Sequence, residues 1–236
     1  MIKYRLLAAV ALVSACGGDD GTTMNTVDAP PAAQIVNISG TATSRDASGG
    51  TPIAGVTIAA YANTNESTPV AMTTTDASGN YTLTIMTNGT ALDGYLKATI
   101  ADYLDTYLYP PAPITADFSG AAINMITQNT FDLLANTLCR ANQTASAGTI
   151  AVEVVDAAGA TVGGATVASS PAASTYCYNS NGLPSSNATA TATDGVAYMF
   201  NVTGQATVSA MKSGSTFTSH GVKARAGALT TTLIGP

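Results

Sequence analysis

The chain has 236 residues, enough for one large domain or two domains of about 100 residues each. Only 9% of the residues are charged, against a usual share of about 25%, whereas there are 43 alanines and 37 threonines. One histidine and three cysteines leave little material for catalysis. Eight basic against 14 acidic residues exclude a basic surface for nucleic acid, and 46% hydrophobic residues exclude a largely disordered chain. Composition therefore favours a folded, non-catalytic protein with no nucleic-acid partner.

The first 15 residues are typical of a secretory signal peptide, because two basic residues precede an apolar run at 6–13 that is too short to span a membrane. Small residues stand directly before Cys16, and this spacing resembles a bacterial lipobox, in which the cysteine is lipidated. An ordinary signal peptide with an incidental cysteine is the alternative. Several acyl chains on Cys16 would anchor the mature chain stably in membrane lipid. Residue 17 is glycine and not aspartate, which favours the outer membrane or the cell surface.

Residues 16–33 are rich in glycine, threonine, aspartate and proline, a composition that predicts a flexible tether. After it the sequence repeats itself: 46–58 resembles 156–167, and 75–83 resembles 193–200. The repeat is much longer than the period of a solenoid, so it predicts a duplication of two domains.

Both copies are predicted to be β-sandwiches. Ile150, Val152 and Val154 alternate with Ala151 and Glu153, the period-two pattern of a half-buried strand. Glycine, asparagine and proline turns recur every 8 to 12 residues or so, and threonine suits the solvated face of a sheet. We therefore expect an all-β fold of two tandem Ig-like or prealbumin-like antiparallel sandwiches with one short connecting helix. The predicted divisions are a signal peptide at 1–15, a tether at 16–33, a first sandwich at 34–121, a helical connector at 122–147 and a second sandwich at 148–236.

The order of motifs resembles the carboxypeptidase-regulatory-like module. The first copy has an Asp-x-x-Gly turn at 46–49, an apolar-x-Gly-Val strand at 53–58 and a Thr-Asp-x-x-Gly-x-Tyr segment at 75–81. The resemblance spans roughly 34–106 and 148–233, and implies a transthyretin-like sandwich that serves as a scaffold on bacterial surface proteins. The second copy departs from the pattern, because between the Thr-Asp-Gly of 193–195 and Tyr198 it lacks the glycine that precedes the aromatic residue. Residues 178–184 resemble secreted lipoproteins of myxobacteria.

Between the copies, apolar residues recur at i, i+3 and i+7 from Phe131, which predicts a helix over 130–141. Asn129 or Thr130 is the expected N-cap. We expect this helix to pack across both sandwiches or to cap one of them, with a ligand lid as the alternative.

Cys139 and Cys177 remain once Cys16 is lipidated. An even pair in an exported protein predicts a disulfide between the helix end and the long loop of the second copy, with two buried free thiols as the alternative. His220 is the only histidine, and no nucleophile elbow accompanies it, so we expect no catalytic residues and no enzyme activity.

No metal and no cofactor is expected. The sequence contains neither a zinc-binding cysteine or histidine pattern nor an EF-hand loop. Four aspartates stand at predicted turns, where turn formation is the expected role and a weakly held calcium ion the alternative. They are Asp46, Asp76, Asp156 and Asp194.

Tyrosines offer a binding hypothesis. Tyr103, Tyr107 and Tyr109 have even spacings, so an extended segment would place them on one face, with Asp105 between them. Phenol rings beside a carboxylate suit sugars, although burial in a core is the competing interpretation. We expect a surface-anchored, non-catalytic lipoprotein that acts as a structural, binding or adhesion module. Its expected partners are membrane lipid through Cys16 and a protein or glycan at the cell surface; the alternative is a carbohydrate-binding module that uses the Tyr103–Tyr109 face.

Overall fold

The computed structural model describes residues 33–46 and 49–236. The predicted signal peptide, Cys16 and the tether up to residue 32 lie outside the described residues, so lipidation of Cys16 stays a prediction. Within the described ranges, no helix is long and apolar enough to cross a membrane. The fold is built almost entirely of strands, with one short helical segment between two sandwiches, and this confirms the predicted fold class.

Alternation of apolar and polar residues is clearest in β5 (Asn80–Met86) of the first half. Tyr81, Leu83 and Ile85 are buried while the residues between them are exposed, as the period of two requires. The strands are β1 (Ile35–Asp46), β2 (Gly49–Pro52), β3 (Thr57–Ala62), β4 (Ala71–Thr74), β5 (Asn80–Met86), β6 (Gly94–Thr99), β7 (Thr106–Tyr109), β8 (Phe118–Ser119) and β9 (Ile123–Met125).

The second half follows the same rule, and the predicted alternation of Ile150, Val152 and Val154 is confirmed by their burial. Its strands are β10 (Gly148–Val154), β11 (Thr166–Ser170), β12 (Thr175–Ser180), β13 (Leu183–Ser185), β14 (Val196–Val202), β15 (Gly204–Met211), β16 (His220–Ala224) and β17 (Leu229–Ile234).

One sheet runs through both halves, with nine strands in the order β13-β12-β14-β10-β17-β7-β6-β3-β4. The last strand, β17, lies between β10 of the second half and β7 of the first half and is parallel to both. The sequence repeat did not predict this shared sheet. The predicted divisions at 34–121, 122–147 and 148–236 stay a prediction.

The two main cores lie on opposite faces of this sheet. Residues in register on neighbouring strands share a face, so Tyr107, Thr230 and Ile150 lie on one face, which we call the front face. The three-stranded sheet β11-β15-β16 packs there and contributes Val208 to the core. Leu96 points to the back face, where the five-stranded sheet of β1, β2, β5, β8 and β9 packs. Each half is therefore a sandwich, but the shared sheet is covered from opposite sides.

The helical segment begins as a short α-helix, α1 (Gln128–Asp132), and continues as a π-helical turn, Leu133–Leu138. Its N-cap is Thr127, whose hydroxyl accepts from the Thr130 N–H, and not Asn129 or Thr130 as predicted. The Cys139 N–H donates to the Leu134 carbonyl, five residues back, which is the π-type hydrogen bond.

The wider π turn changes which residues are buried. Phe131, Ala135 and Cys139 face inward at i, i+4 and i+8, whereas the predicted i+3 and i+7 positions are only half-buried. This inward side packs against Leu104 of the first half and Phe200 of the second half. The segment therefore packs across both halves, one of the two predicted arrangements.

A threonine-centred hydrogen-bond motif occurs once in each half. The Thr75 hydroxyl accepts from the Val56 N–H at 2.9 Å and donates to the Ile53 carbonyl, three residues before Val56, at 2.7 Å. Thr191 makes the same two bonds around Ala165, at 2.9 and 2.7 Å. The structure therefore pairs Thr75 with Thr191, and not with Thr193 as the sequence alignment predicts.

A glycine follows each threonine four residues later. Gly79 and Gly195 both have positive φ, at 74° and 70°. A Cβ at Gly79 would lie 2.7 Å from the Ala42 carbonyl oxygen, and one at Gly195 2.5 Å from that of Val154. Backbone approaches this close admit only glycine. Gly195 thus takes the place of Gly79, but this register sets Ala192 against Asp76 and Ala197 against Tyr81, so the second copy keeps only the threonine and the glycine of the motif.

Candidate functional site

Four tyrosines of the first half form an aromatic platform on the front face of the shared sheet. Tyr61 and Tyr95 stand opposite each other in register, with ring centres 5.5 Å apart. Tyr95 stacks on Tyr109 at 5.0 Å and meets Tyr107 at 5.7 Å with tilted planes. We call Tyr61, Tyr95, Tyr107 and Tyr109 the tyrosine platform. Alternate residues of three neighbouring strands build it, as the period of a sheet requires.

Arg225 of the second half covers this platform. It stands in the turn between β16 and β17, and its guanidinium carbon lies 4.1 Å from the Tyr107 ring centre and 4.4 Å from that of Tyr95. Its Nη1 donates to the Tyr109 hydroxyl at 3.1 Å. Since the side chain is only 16% exposed, these cation–π contacts are largely desolvated and correspondingly strong.

Two further charged groups complete what we call the junction cluster, which consists of the tyrosine platform with Arg225, Lys223 and Glu66. One Glu66 carboxylate oxygen accepts from Lys223 at 2.8 Å and from Arg225 at 3.3 Å. The hydrogen bond from Lys223, helped by the charge of Arg225, holds the pKa of Glu66 below its ordinary value. Burial raises the pKa of Tyr95 to about 12, although the nearby Arg225 charge opposes this rise.

A groove of about 420 Å³ opens beside the junction cluster, between the two halves. Asp105 stands in its wall and forms an ion pair with Lys97 at 2.8 Å. The Lys97 Nζ in turn lies 5.6 Å from the centre of the Tyr107 ring. The groove is lined by Asp102, Tyr103, Leu104, Asp105, Tyr107, Gln128, Arg225, Ala226, Gly227 and Ala228.

Three of the four residues predicted as a ligand-binding set, Tyr103, Asp105 and Tyr107, line this groove, whereas Tyr109 does not. The structure separates Tyr103 from the other two tyrosines: it packs against the back-face core, and they belong to the front-face core. The reason is local, because β7 begins only at residue 106, and residues 104 and 105, which separate Tyr103 from it, belong to no strand. The segment before β7 is therefore not extended, and the even spacing does not put all three rings on one face.

Tyr107 and Tyr109 are 8% and 4% exposed and lie beneath Arg225, so neither ring offers an open face. Tyr103 is half-buried and borders the groove. The use of the Tyr103–Tyr109 segment for ligand binding stays a prediction, and Tyr103 is its accessible ring.

Cys139 and Cys177 are joined by a disulfide, with Cα atoms 5.7 Å apart. Both are buried in a third, smaller core, which the helical segment forms with Leu104 and Phe200. Cys177 lies in β12 and not in the predicted long loop, so the bond ties the end of the helical segment to the shared sheet.

His220 shares a 2.7 Å hydrogen bond between its Nε2 and the Thr232 hydroxyl. Burial lowers its pKa, which favours the neutral imidazole at neutral pH. Among the residues that the structure describes, no three histidine, cysteine, aspartate or glutamate side chains are grouped to hold a metal ion.

The aspartates at turns bind backbone amides. Asp76 accepts from the N–H groups two and four residues later, each at 2.8 Å, and Asp156 does the same at 2.9 Å. Asp194 accepts from the Asn179 side chain at 2.8 Å and from the Val196 N–H at 3.2 Å. These contacts are those of the predicted turn formers. The Asp46 side chain lies outside the description.

Sequence reasoning missed Glu66, Lys223 and Arg225, the charged part of the junction cluster. Glu66 lies in the first half and the two basic residues in the second, 157 and 159 residues later, and nothing in the local sequence pairs them. One available signal was the spacing of Lys223 and Arg225, which places two cations on the same face at the end of a strand.

No family model and no curated protein matches the chain. Among solved structures, the chain is similar to the Bacillus anthracis TIE protein, at 13% identity and a TM-score of 0.29, over 84% of this chain and 33% of that one. It is also similar to the shaft pilin SpaA of Lactobacillus rhamnosus GG, at 13% identity and a TM-score of 0.27, over 86% of this chain and 98% of that one. A third similarity is to the minor pilin GBS52 of Streptococcus agalactiae, at 13% identity and a TM-score of 0.27, over 86% of this chain and 95% of that one. The chain spans about a third of the length of the first of these. Such low scores assign neither a family nor a function.

Proposed function

We propose that the protein is a non-catalytic structural or adhesion module, held at the bacterial cell surface by lipid on Cys16. The observation that carries this proposal is the junction between the halves. A shared strand and the junction cluster join two sandwiches into one body, which is the form expected of a spacer or of a support for a binding surface. The chemistry of the described residues points the same way, since His220 bonds to a threonine and not to a carboxylate.

The anchor rests on the sequence around Cys16. A basic start, a short apolar run and small residues before the cysteine suit export and acylation, and multiple acyl chains bind a membrane stably where one would not. The repeated threonine and glycine motif supports assignment of both halves to carboxypeptidase-regulatory-like sandwiches. An outer-membrane or surface location belongs to the same proposal.

Fractionation of a bacterial host that expresses the full chain tests the anchor. We expect the protein in the membrane fraction, with processing that is sensitive to globomycin, and release of the Cys16→Ser variant into the soluble fraction. Ser14→Ala is the matched control, because it keeps a small residue before the cysteine. Equal membrane association of the wild type and Cys16→Ser would overturn the anchor.

Carbohydrate binding is the second candidate function. The groove between the halves favours it, since this groove is lined by three of the four residues that the sequence singles out. Its residues and ligand are argued next.

A further inference from the structure

We infer that the groove between the halves binds a neutral saccharide, with a sugar ring stacked on Tyr103 and hydroxyl groups bonded to Asp105 and Gln128. This inference rests on the proposed function as a binding or adhesion module, and it adds a site and a class of ligand. It also centres the site on Tyr103 and not on Tyr107 and Tyr109, although the sequence favours all three tyrosines equally.

The shape of the groove suits a small ligand. Its volume of about 420 Å³ lies within the range of about 300–1,000 Å³ that is usual for small-molecule sites. Residues 102–107 of the first half form one wall, and the turn at 225–228 forms the other. Gln128, the first residue of α1, borders the groove as well. A ligand in it would touch both halves and the connecting segment.

The charges of the groove favour a neutral ligand. Asp105 is paired with Lys97, and Arg225 is paired with Glu66 and enclosed by the tyrosine platform. The three cations near the groove, Lys97, Lys223 and Arg225, are therefore balanced by Asp105, Glu66 and the Asp102 carboxylate at the exposed rim. A phosphate, a sulfate or a uronic acid would find no excess of positive charge here.

Polar atoms in the groove retain unused capacity. The Oδ2 atom of Asp105 pairs with Lys97, and the Nε2 atom of Gln128 donates to Asp132. Within the described part of the chain, Asp105 Oδ1 and Gln128 Oε1 accept no hydrogen bond. A carboxylate accepts and an amide both donates and accepts, and this mixture matches sugar hydroxyls, which do both.

Tyr103 supplies the apolar contact. It is half-buried, packed on one side against the back-face core, and it borders the groove. An isolated bridge to Thr127 fixes its backbone beside the N-cap of α1. A ring held in place loses little conformational freedom when a sugar stacks on it. Tyr107 also lines the groove, but it is only 8% exposed and its ring already lies near Lys97 and Arg225.

A glycan array with the folded chain, followed by calorimetric titration of any saccharide retained, tests the site. We expect neutral oligosaccharides to be retained, with affinity at least tenfold weaker for Tyr103→Ala and at least threefold weaker for Gln128→Ala. Tyr103→Phe keeps the ring and should bind within about threefold of the wild type. Asp132→Ala is the matched control for Gln128→Ala, because it removes the same contact within α1 without touching the groove.

Several outcomes would overturn the inference: no saccharide retained at millimolar concentration, a preference for acidic sugars, or wild-type affinity in both Tyr103→Ala and Gln128→Ala. Gln128 is exposed, so its variant should fold even if Tyr103→Ala does not. Failure of this site is distinguishable from failure of the proposed function. A protein that fractionates with the membrane through Cys16 but retains no saccharide overturns the ligand alone.

Discussion

The guanidinium carbon of Arg225 lies 4.1 Å from the centre of the Tyr107 ring, although one residue belongs to the second half and the other to the first. The tyrosine gives Arg225 an aromatic surface, and Glu66 of the first half gives it a countercharge. Arg225 therefore contacts the first half in two ways: its charge pairs with Glu66, and its planar guanidinium stacks on the Tyr107 ring. Lysine cannot reproduce both contacts.

Arg225→Ala should lower the free energy of unfolding by roughly 2–4 kcal/mol, because it removes desolvated cation–π contacts and leaves Glu66 with one cation fewer. Arg225→Lys should recover only part of this loss. Urea unfolding followed by tyrosine fluorescence measures the change. The exposed Lys212→Ala is the control, with an expected effect within about 0.5 kcal/mol. An Arg225→Ala variant as stable as the control would contradict the assigned role.

Local patterns predicted the strands and the two sandwiches, since alternation as in β5 and β10 depends only on neighbouring residues. They did not predict that β17 would pair with β7, because a pairing between distant strands leaves no local trace. The π turn at Leu133–Leu138 was not predicted for a related reason. Apolar residues spaced by three and four indicate an α-helix, whereas the wider turn depends on the packing of Ala135 and Cys139 in the folded protein. For the site, even spacing placed Tyr107 and Tyr109 on one face but failed for Tyr103, because residues 104 and 105 lie outside the strand.

Glu66 and Glu153 should respond to pH in opposite directions. Hydrogen bonding to Lys223 lowers the pKa of Glu66, so its contribution is present above its unfolded pKa and is lost as the pH falls through the folded value. Burial, with repulsion from Asp194, raises the pKa of Glu153. Its charge therefore opposes folding, and stability falls as the pH rises from the unfolded pKa through the folded one.

Melting temperatures at pH 7 and near pH 4 check this contrast. Glu153→Gln should raise the melting temperature at pH 7 by more than it does at pH 4, and Glu66→Gln should lower it at pH 7. Each variant serves as the control for the other, since both make the same chemical change. A shift of the same sign in both at pH 7 would show that the two environments have been misassigned.

Thr75→Val and Thr191→Val should destabilise the protein by similar amounts, about 1–3 kcal/mol each, because each removes a hydroxyl that bonds a buried N–H and a carbonyl. Valine keeps the shape, so the loss measures the hydrogen bonds. Denaturant unfolding gives the free energies. Thr82→Val, on the exposed side of β5, is the control and should change little. A large effect at only one of the two sites would mean that the repeated motif is not energetically equivalent.

The disulfide should be present in protein purified without a reductant, and a denatured sample should then titrate no thiol from Cys139 or Cys177. The bond closes a loop of 38 residues, for which chain entropy gives a stabilisation of roughly 4 kcal/mol. The double variant Cys139→Ala, Cys177→Ala should therefore melt at a clearly lower temperature. Wild-type protein under reducing conditions should melt close to this variant. Two titratable thiols in the unreduced protein would favour the alternative of buried free cysteines.

The wild type should unfold in a single transition, because β17 lies between β10 and β7 and supplies main-chain bonds to both halves. Proline in a central strand removes a ladder N–H and clashes with its neighbours. Thr231→Pro should therefore destabilise the whole protein by more than about 3 kcal/mol. Thr231→Ala keeps the N–H and is the matched control, with a smaller loss. Circular dichroism and tyrosine fluorescence, to which the first half contributes six of the nine tyrosines in the described residues, should give the same urea midpoint. Two separate transitions in the wild type, or a Thr231→Pro variant that unfolds only one half, would show that the shared strand does not couple the two sandwiches.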